Sequence, residues 1–220
     1  LPMASGAGWR IRRHGETPLA GFSHGAAGIA WALLALSEET GDERYREIAR
    51  KAIAYERSLF SAETGNWSDL RTVDDDADAA PARTVTAWCH GATGIGLARL
   101  HSLDRLDDPA LVDEVQIALD TTLREGFGHT HALCHGDMGA LDVLLEASQV
   151  LGDNRWRDAS HRLAGKILTS IERSGWQCGG PPGVEMPGLM LGLAGIGYGM
   201  LRLAEPAQVP CVLRLAPPLA

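Results

Sequence analysis

The sequence predicts an all-α chain built as a ring of helix pairs, and three observations predict it. Apolar, glycine-bearing helical segments alternate with amphipathic ones. The starts of the apolar segments repeat one another. No stretch shows a convincing period-two alternation of the kind that marks a half-buried strand. Aligned on their glycines, the four starts read His24-Gly25-Ala26-Ala27-Gly28-Ile29, His90-Gly91-Ala92-Thr93-Gly94-Ile95, His135-Gly136-Asp137-Met138-Gly139-Ala140 and Leu191-Gly192-Leu193-Ala194-Gly195-Ile196. This is an internal repeat with irregular spacing. Helices with little polar surface are read as inner, packed closely through their glycines; the amphipathic ones shield them from water.

Taken in order, residues 1–18 read as irregular, with a small basic cluster at Arg10, Arg12 and Arg13 that reads as solvated loop. Residues 26–36 are rich in Ala and Leu, good helix formers. A turn at Thr40-Gly41 leads to Asp42, placed to cap a helix over 43–59, whose apolar residues Tyr45, Ile48, Ala49, Ala52, Tyr55 and Leu59 recur at three- and four-residue steps. Residues 61–84 form a long connection containing the acidic run Asp74-Asp75-Asp76, again read as solvated.

The unit then recurs. Residues 91–100 are apolar and small, and 109–123 are amphipathic through Leu111, Val115, Ala118 and Thr122. Residues 136–150 are apolar, Leu151-Gly152-Asp153 repeats the turn and cap, and Trp156, Ala159, Leu163, Ile167 and Ile171 stripe the next helix. A fourth apolar helix runs to Leu203, and the Pro-rich tail 206–220 reads as extended.

At 220 residues the chain suits one domain or a large piece of one, enough to bury a core. It carries 20 basic and 28 acidic residues, a formal net charge of −8, with no basic stripe to neutralise phosphates, which argues against a nucleic-acid face. No apolar run approaches the ~18 residues of a membrane span. Residues 1–10 lack a signal-peptide pattern, so a cytoplasmic location is expected.

The four cysteines, Cys89, Cys134, Cys178 and Cys211, are better read as metal-binding or catalytic than as disulfide staples in a chain this large and helical. Two of them, Cys89 and Cys134, occupy the same position before the His-Gly of the second and third repeats. Inner helices that all start on one side would aim these loops at one axial spot. Cys89, Cys134 and His135 are then a two-thiolate, one-imidazole set for zinc, which keeps one position open in catalytic sites. Buried structural cysteines are the alternative, since no CxxC or HxxxH pair occurs.

His24 opens the first repeat and is a candidate proton donor or acceptor, or a structural histidine. His90 is either a proton-handling neighbour of the site or a side chain turned away from it. Asp137 reads as a cap of its own helix, and Trp88 as a wall of the cavity or a packing residue. Cys178 is a rival ligand outside the repeat register. Cys211 reads as a buried or incidental thiol.

Together and in this order, Gly21-Phe22-Ser23-His24-Gly25, Trp88-Cys89-His90-Gly91, Cys134-His135-Gly136-Asp137, Pro187-Gly188-Leu189-Met190 and Gly192-Leu193-Ala194-Gly195-Ile196-Gly197-Tyr198 resemble the lanthionine synthetase C-like family. Within it, they resemble the C-terminal cyclase region of class II lanthipeptide (lantibiotic) synthetases of the LanM type. The resemblance spans nearly the whole chain. It implies an α/α toroid of seven inner and seven outer helices around a central Zn²⁺, of which four inner-helix starts are present here. The family's zinc ligands fall on Cys89, Cys134 and His135, and its catalytic histidine on His24.

The resemblance also implies the reaction: peptide cysteine thiolates add to dehydroalanine or dehydrobutyrine and form (methyl)lanthionine thioether rings. His24 would protonate the resulting enolate or help to remove the thiol proton. The implied partners are a dehydrated precursor peptide and the N-terminal part of the same synthetase. Residues 1–220 would be the C-terminal part of the cyclase domain, without a dehydratase domain. A family aspartate proposed as acid or base falls before the matched region and maps to no residue here. Two other readings compete. An α/α-toroid glycosidase would need paired carboxylates; the only dense acidic group, residues 74–78, lies in a loop, and the cysteines go unexplained. A non-catalytic LanC-like module that binds zinc and a thiol peptide keeps the metal set and drops the turnover.

Overall fold

The structure, a computed structural model, describes residues 1–11, 16–71 and 83–217. Arg12, Arg13 and the acidic residues 74–78 lie outside the described residues. The chain divides into two compact units, Leu1–Thr121 and Thr122–Ala220. The first holds α1 (Ala26–Thr40), α2 (Glu43–Arg57), a hairpin of β1 (Phe60–Ser61) and β2 (Asn66–Trp67), and α3 (Ala92–Leu100). The boundary falls inside α4 (Ala110–Glu125). The second unit holds α5 (Asp137–Leu151), α6 (Asn154–Ser174), α7 (Leu193–Ala204) and a 3₁₀ turn at Val212–Arg214.

In the first unit α1 packs on α2 and α3; in the second, α5 packs on α6 and α7. The division into inner and outer helices follows the sequence at α3 and α5, whereas α1 and α7 bury one face and leave Leu36 and Leu201 exposed. Every residue of α3 is buried, as is Asp137–Ala147 of α5, so polar surface on either helix would have no water to meet. The outer helices α2 and α6 bury one face only. Both begin at an aspartate whose carboxylate accepts from the backbone N–H two residues on, Asp42 from Arg44 at 3.0 Å and Asp153 from Arg155 at 2.9 Å. Such a cap contributes about 1 kcal/mol. In the first core, Ala26, Ala30 and Leu34 of α1 meet Ala49, Ala52 and Ile53 of α2, with Leu111 of α4 in the same cluster. Small residues at these contacts let helix backbones approach closely.

Three details depart from the sequence reading. A short antiparallel hairpin pairs Phe60 with Trp67 and Ser61 with Asn66; strands of two residues are too short to show a period. The buried stripe of α2 runs through Ala49, Ala52, Ile53, Tyr55 and Glu56, leaving Ile48 exposed. The tail is not extended: it turns after α7 and closes with the 3₁₀ turn, because the buried Arg202 guanidinium donates to the carbonyls of Pro206 and Val209. No described helix is long and apolar enough to cross a membrane.

Candidate functional site

One backbone device recurs at the entry to each inner helix. A Cβ built on Gly28, Gly94 or Gly139 would lie 1.9 Å from the carbonyl oxygen six residues earlier, that of Phe22, Trp88 or Leu133; on Gly195 it would lie 1.7 Å from that of Leu189. Only glycine lets the first helical turn sit down on this peptide. The next two residues stand at the same register of the repeat in all four turns: Ser23-His24, Cys89-His90, Cys134-His135 and Met190-Leu191. The first three turns also close with a bond from the same glycine N–H back over seven residues, to Gly21, Ala87 and Ala132. The fourth turn carries no ligand chemistry.

His24 is half-buried in the first turn, and its ring stacks on that of His90, with centroids 5.0 Å apart and planes 18° from parallel. Phe22 sits between Trp31 and Trp88, at centroid distances of 5.8 and 5.7 Å, so Trp88 packs against the foot of the His24 turn. The backbone of that turn is held from α2. Glu56 accepts from Gly21 N at 2.8 Å and Ala27 N at 3.1 Å, and Tyr55 Oη donates to Pro18 O at 2.6 Å. Burial pushes the Glu56 carboxyl above its usual range, opposed by Arg99 and the two amide donors.

In the second turn Cys89 is buried and in no disulfide. His90 is buried with Nε2 lacking a hydrogen-bond partner among the described residues. Burial, with the Arg71 charge adding to it, pushes the His90 imidazole down to about 4, so it is neutral at physiological pH. This turn enters its helix differently. Gly91 takes φ 76°, a left-handed conformation that favours glycine, where Gly25, Gly136 and Gly192 are extended. The Ala92 N–H then turns to Asn66 Oδ1 of β2 at 2.9 Å, whereas Ala26 N donates to Leu19 O.

The third turn carries Cys134, half-buried and in no disulfide, and His135. Their ligand atoms lie within 4.8 Å of each other. His135 Nε2 is 3.1 Å from Gly179 O. A carbonyl oxygen only accepts, so Nε2 carries the proton and Nδ1 keeps its lone pair for a metal. Asp137 does not cap α5 as the sequence suggests. Its carboxylate reaches backwards to accept from Gly128 N at 3.0 Å and His129 N at 3.3 Å, tying down the loop before the turn. Cys178 lies outside the repeated turns, its buried sulfur accepting from Met186 N at 3.4 Å.

A second group of ligand-like atoms, Asp142, Glu146 and Cys211, also lies within 4.8 Å. It is already filled by a cation: Arg202 donates to Asp142 at 2.9 Å and to Glu146, and Arg214 donates to Glu146 at 2.8 Å. This cluster fastens the tail to α5 and α7. Cys211, 1% exposed, is a buried thiol as the sequence suggests.

Sequence reasoning missed Glu56 and Asn66, the two side chains that brace the first and second turns. Glu56 had a signal, a carboxylate in helical register with Ala49, Ala52 and Ile53. Asn66, in a two-residue strand, had none.

Residues 3–214 match the family described as lanthionine synthetase C-like protein. The chain belongs to this family. Among relatives of this lanthionine synthetase C-like chain, the lacticin 481/lactococcin biosynthesis protein LcnDR2 of Lactococcus lactis subsp. lactis is 28% identical over 197 residues, 84% of this chain and 20% of that protein. The nisin biosynthesis protein NisC of the same organism is 26% identical over 132 residues, 56% of this chain and 31% of that one. The solved structure of nisin cyclase superposes with a TM-score of 0.66 at 21% identity, covering 86% of this chain and 46% of that chain. The all-α reading of the α/α-toroid class therefore stands. The chain spans less than half the length of each of these relatives.

Proposed function

We propose that the chain is the C-terminal part of a zinc-dependent lanthipeptide cyclase that adds peptide cysteine thiolates to dehydroalanine or dehydrobutyrine, forming (methyl)lanthionine thioethers. One observation carries the reading. The same glycine-seated turn presents Cys89 and Cys134 in equivalent positions of equivalent units, and the Gly179 carbonyl leaves His135 Nδ1 free to coordinate. Two thiols outside any disulfide and a tautomer-fixed imidazole are a donor set that suits Zn²⁺ with one position left for substrate. Cys89, Cys134 and His135 would hold the ion, which when bound lowers the pKa of a substrate thiol so that it is a thiolate near neutral pH.

The chain's own residues do the rest. Addition of a thiol across the dehydroamino-acid double bond forms a C–S bond at Cβ and requires a proton at Cα. The proton lost by the thiol balances the one gained at carbon. His24 is the group that holds it, either receiving it from the thiol or delivering it to the enolate carbon. Its ring stacks on the neutral ring of His90, and the residue is half-buried. The Phe22, Trp31 and Trp88 rings give that turn an apolar flank. The partners proposed are a dehydrated precursor peptide and the N-terminal part of the same synthetase. A cytoplasmic location belongs to the same proposal, since ligand thiols must stay reduced.

The test is zinc content by elemental analysis on the wild type, Cys89→Ala and Cys134→Ala, followed by ring formation on a dehydrated precursor by the synthetase carrying each form. About one zinc per chain, lost in both variants, with thioether formation lost alongside, supports the proposal. Folded wild type without zinc would sink it. Zinc bound in full without turnover, in the complete synthetase, would favour the non-catalytic binder.

A further inference from the structure

We infer that Glu56 is the positioning residue for His24, clamping both ends of the turn that presents the imidazole. The inference rests on the reading of His24 given above. The two backbone amides that Glu56 Oε1 accepts from, Gly21 N and Ala27 N, stand three residues before and three residues after His24. One carboxylate oxygen thus spans the whole motif.

The clamp also sets where the turn lies. A Cβ on Gly21 would meet Cys89 O at 2.5 Å and His90 Cα at 2.8 Å, so the clamped peptide is pressed directly on the Cys89-His90 backbone. Fixing Gly21 therefore fixes the first turn against the second, and with it the stacking of His24 on His90.

The carboxylate is held in turn. Glu56 and Arg99 are both fully buried, with Arg99 Nη2 3.1 Å from Glu56 Oε2. Arg99 Nε donates to Glu114 Oε2 at 2.6 Å, and Glu114 and Asp108 both pair with Arg57, the residue after Glu56. Closing an entry turn does not by itself need this. The first turn already closes on a backbone bond, Ala26 N to Leu19 O, as the fourth does from Leu193 N to Met186 O, and the second closes from Ala92 N on the neutral amide oxygen of Asn66; the Glu56 contacts to Gly21 N and Ala27 N come in addition. A buried charge is expensive unless paired, so the first turn is braced by a costlier device than turn closure demands. A proton-handling group needs its position fixed more closely than a metal ligand, which the metal itself helps to hold.

The experiment uses the synthetase carrying Glu56→Gln, which keeps an acceptor oxygen but loses the charge and the Arg99 pairing, with Arg99→Lys as a milder second variant and His24→Ala as reference. Hydrogen exchange reads the clamp directly. Exchange at Gly21 and Ala27 is expected to rise about tenfold or more in Glu56→Gln, while the Cys134 turn keeps wild-type exchange. Zinc content is expected to stay at the wild-type level. For thioether formation on a dehydrated precursor, kcat should fall on the order of tenfold with KM little changed, the signature of a misplaced reacting group. Wild-type exchange at Gly21 and Ala27, or wild-type kcat despite loosened exchange, would overturn the inference. If Glu56→Gln does not fold, Arg99→Lys decides by the same two readouts, with a smaller loss expected. The two readings separate cleanly. If His24→Ala keeps full turnover, the proton role of His24 is wrong; if it abolishes turnover while Glu56→Gln is unaffected, only the clamp is wrong.

Discussion

Gly139→Ala tests the device on which the site is built. The added carbon lies 1.9 Å from the Leu133 oxygen and 3.0 Å from the Leu133 carbonyl carbon. A carbon and a carbonyl oxygen settle at roughly 3.3 Å, so the gap must open by about 1.4 Å. Both sides are backbone, and no rotamer relieves the clash. Either the Leu133–Cys134 peptide swings away, or α5 backs off and breaks the bonds from Gly139 N to Ala132 O (3.4 Å) and Gly136 O (3.1 Å). Overpacking costs about 2 kcal/mol and the lost backbone bonds about 1 kcal/mol. The helix preference of alanine over glycine returns about 1 kcal/mol. The net expectation is destabilisation of about 2 kcal/mol, which lowers the urea midpoint by roughly 1 M for a slope near 2 kcal/mol/M. Because the displaced peptide carries Cys134, zinc affinity measured by chelator competition should fall on the order of tenfold. Gly197→Ala in α7 is the control. Nothing lies within 4 Å of its added carbon, so it should be neutral or stabilise by up to ~1 kcal/mol. Equal midpoints and equal zinc affinities for Gly139→Ala and wild type would refute the reasoning, as would equal losses from the two glycine substitutions.

Three further predictions follow from the same geometry. Arg202→Met leaves the buried carboxylates of Asp142 and Glu146 short of their cation and releases the tail carbonyls, so it should cost about 3–5 kcal/mol in urea unfolding. Asp142 is pushed up to about 6 by burial, so the folded chain holds its proton more tightly than the unfolded chain does. Its contribution to stability is therefore full below its ordinary value of 3.8 and is lost as pH rises through about 6; Asp142→Asn should flatten the urea midpoint across that window, and an unchanged slope would count against the assignment. Finally, burial and the neighbouring Asp142 push the Cys211 thiol far up, so a thiol reagent should leave Cys211 unmodified until the chain unfolds. The half-buried Cys134 should react in the zinc-free protein and be protected when zinc is added; mass mapping of the labelled cysteines checks both.

The helices were legible because their causes are local. Asp42 and Asp153 announce two helix starts, and the stripe from Trp156 to Ile167 sets the face that α6 buries. The cysteine positions were legible for a different reason, since a repeated glycine spacing reports a repeated backbone before any contact is known. What the spacing does not report is how each turn satisfies its backbone donors. At the first helical residue the acceptor is a backbone carbonyl in three turns, that of Leu19, Thr130 or Met186, and Asn66 Oδ1 of β2 in the second, while Glu56 of α2 adds a further brace to the first turn through Gly21 N and Ala27 N. In the third turn Asp137 has its own N–H bonded to Thr130 O, and its carboxylate is free to hold the preceding loop instead of capping α5. A cap was the reasonable expectation for an aspartate at a helix start, yet the donors that a cap would serve were already taken. The same logic ranks the turns by how tightly each is braced. The turn carrying His24 has a fully buried charged acceptor and an arginine behind it, while the fourth, with Met190 and Leu191 at the corresponding positions, closes on bonds to the Met186 and Gly188 carbonyls. On the role proposed for His24, bracing follows chemistry and not the repeat, and the exchange rates at Gly21 and Ala27 then bear on function as well as on folding.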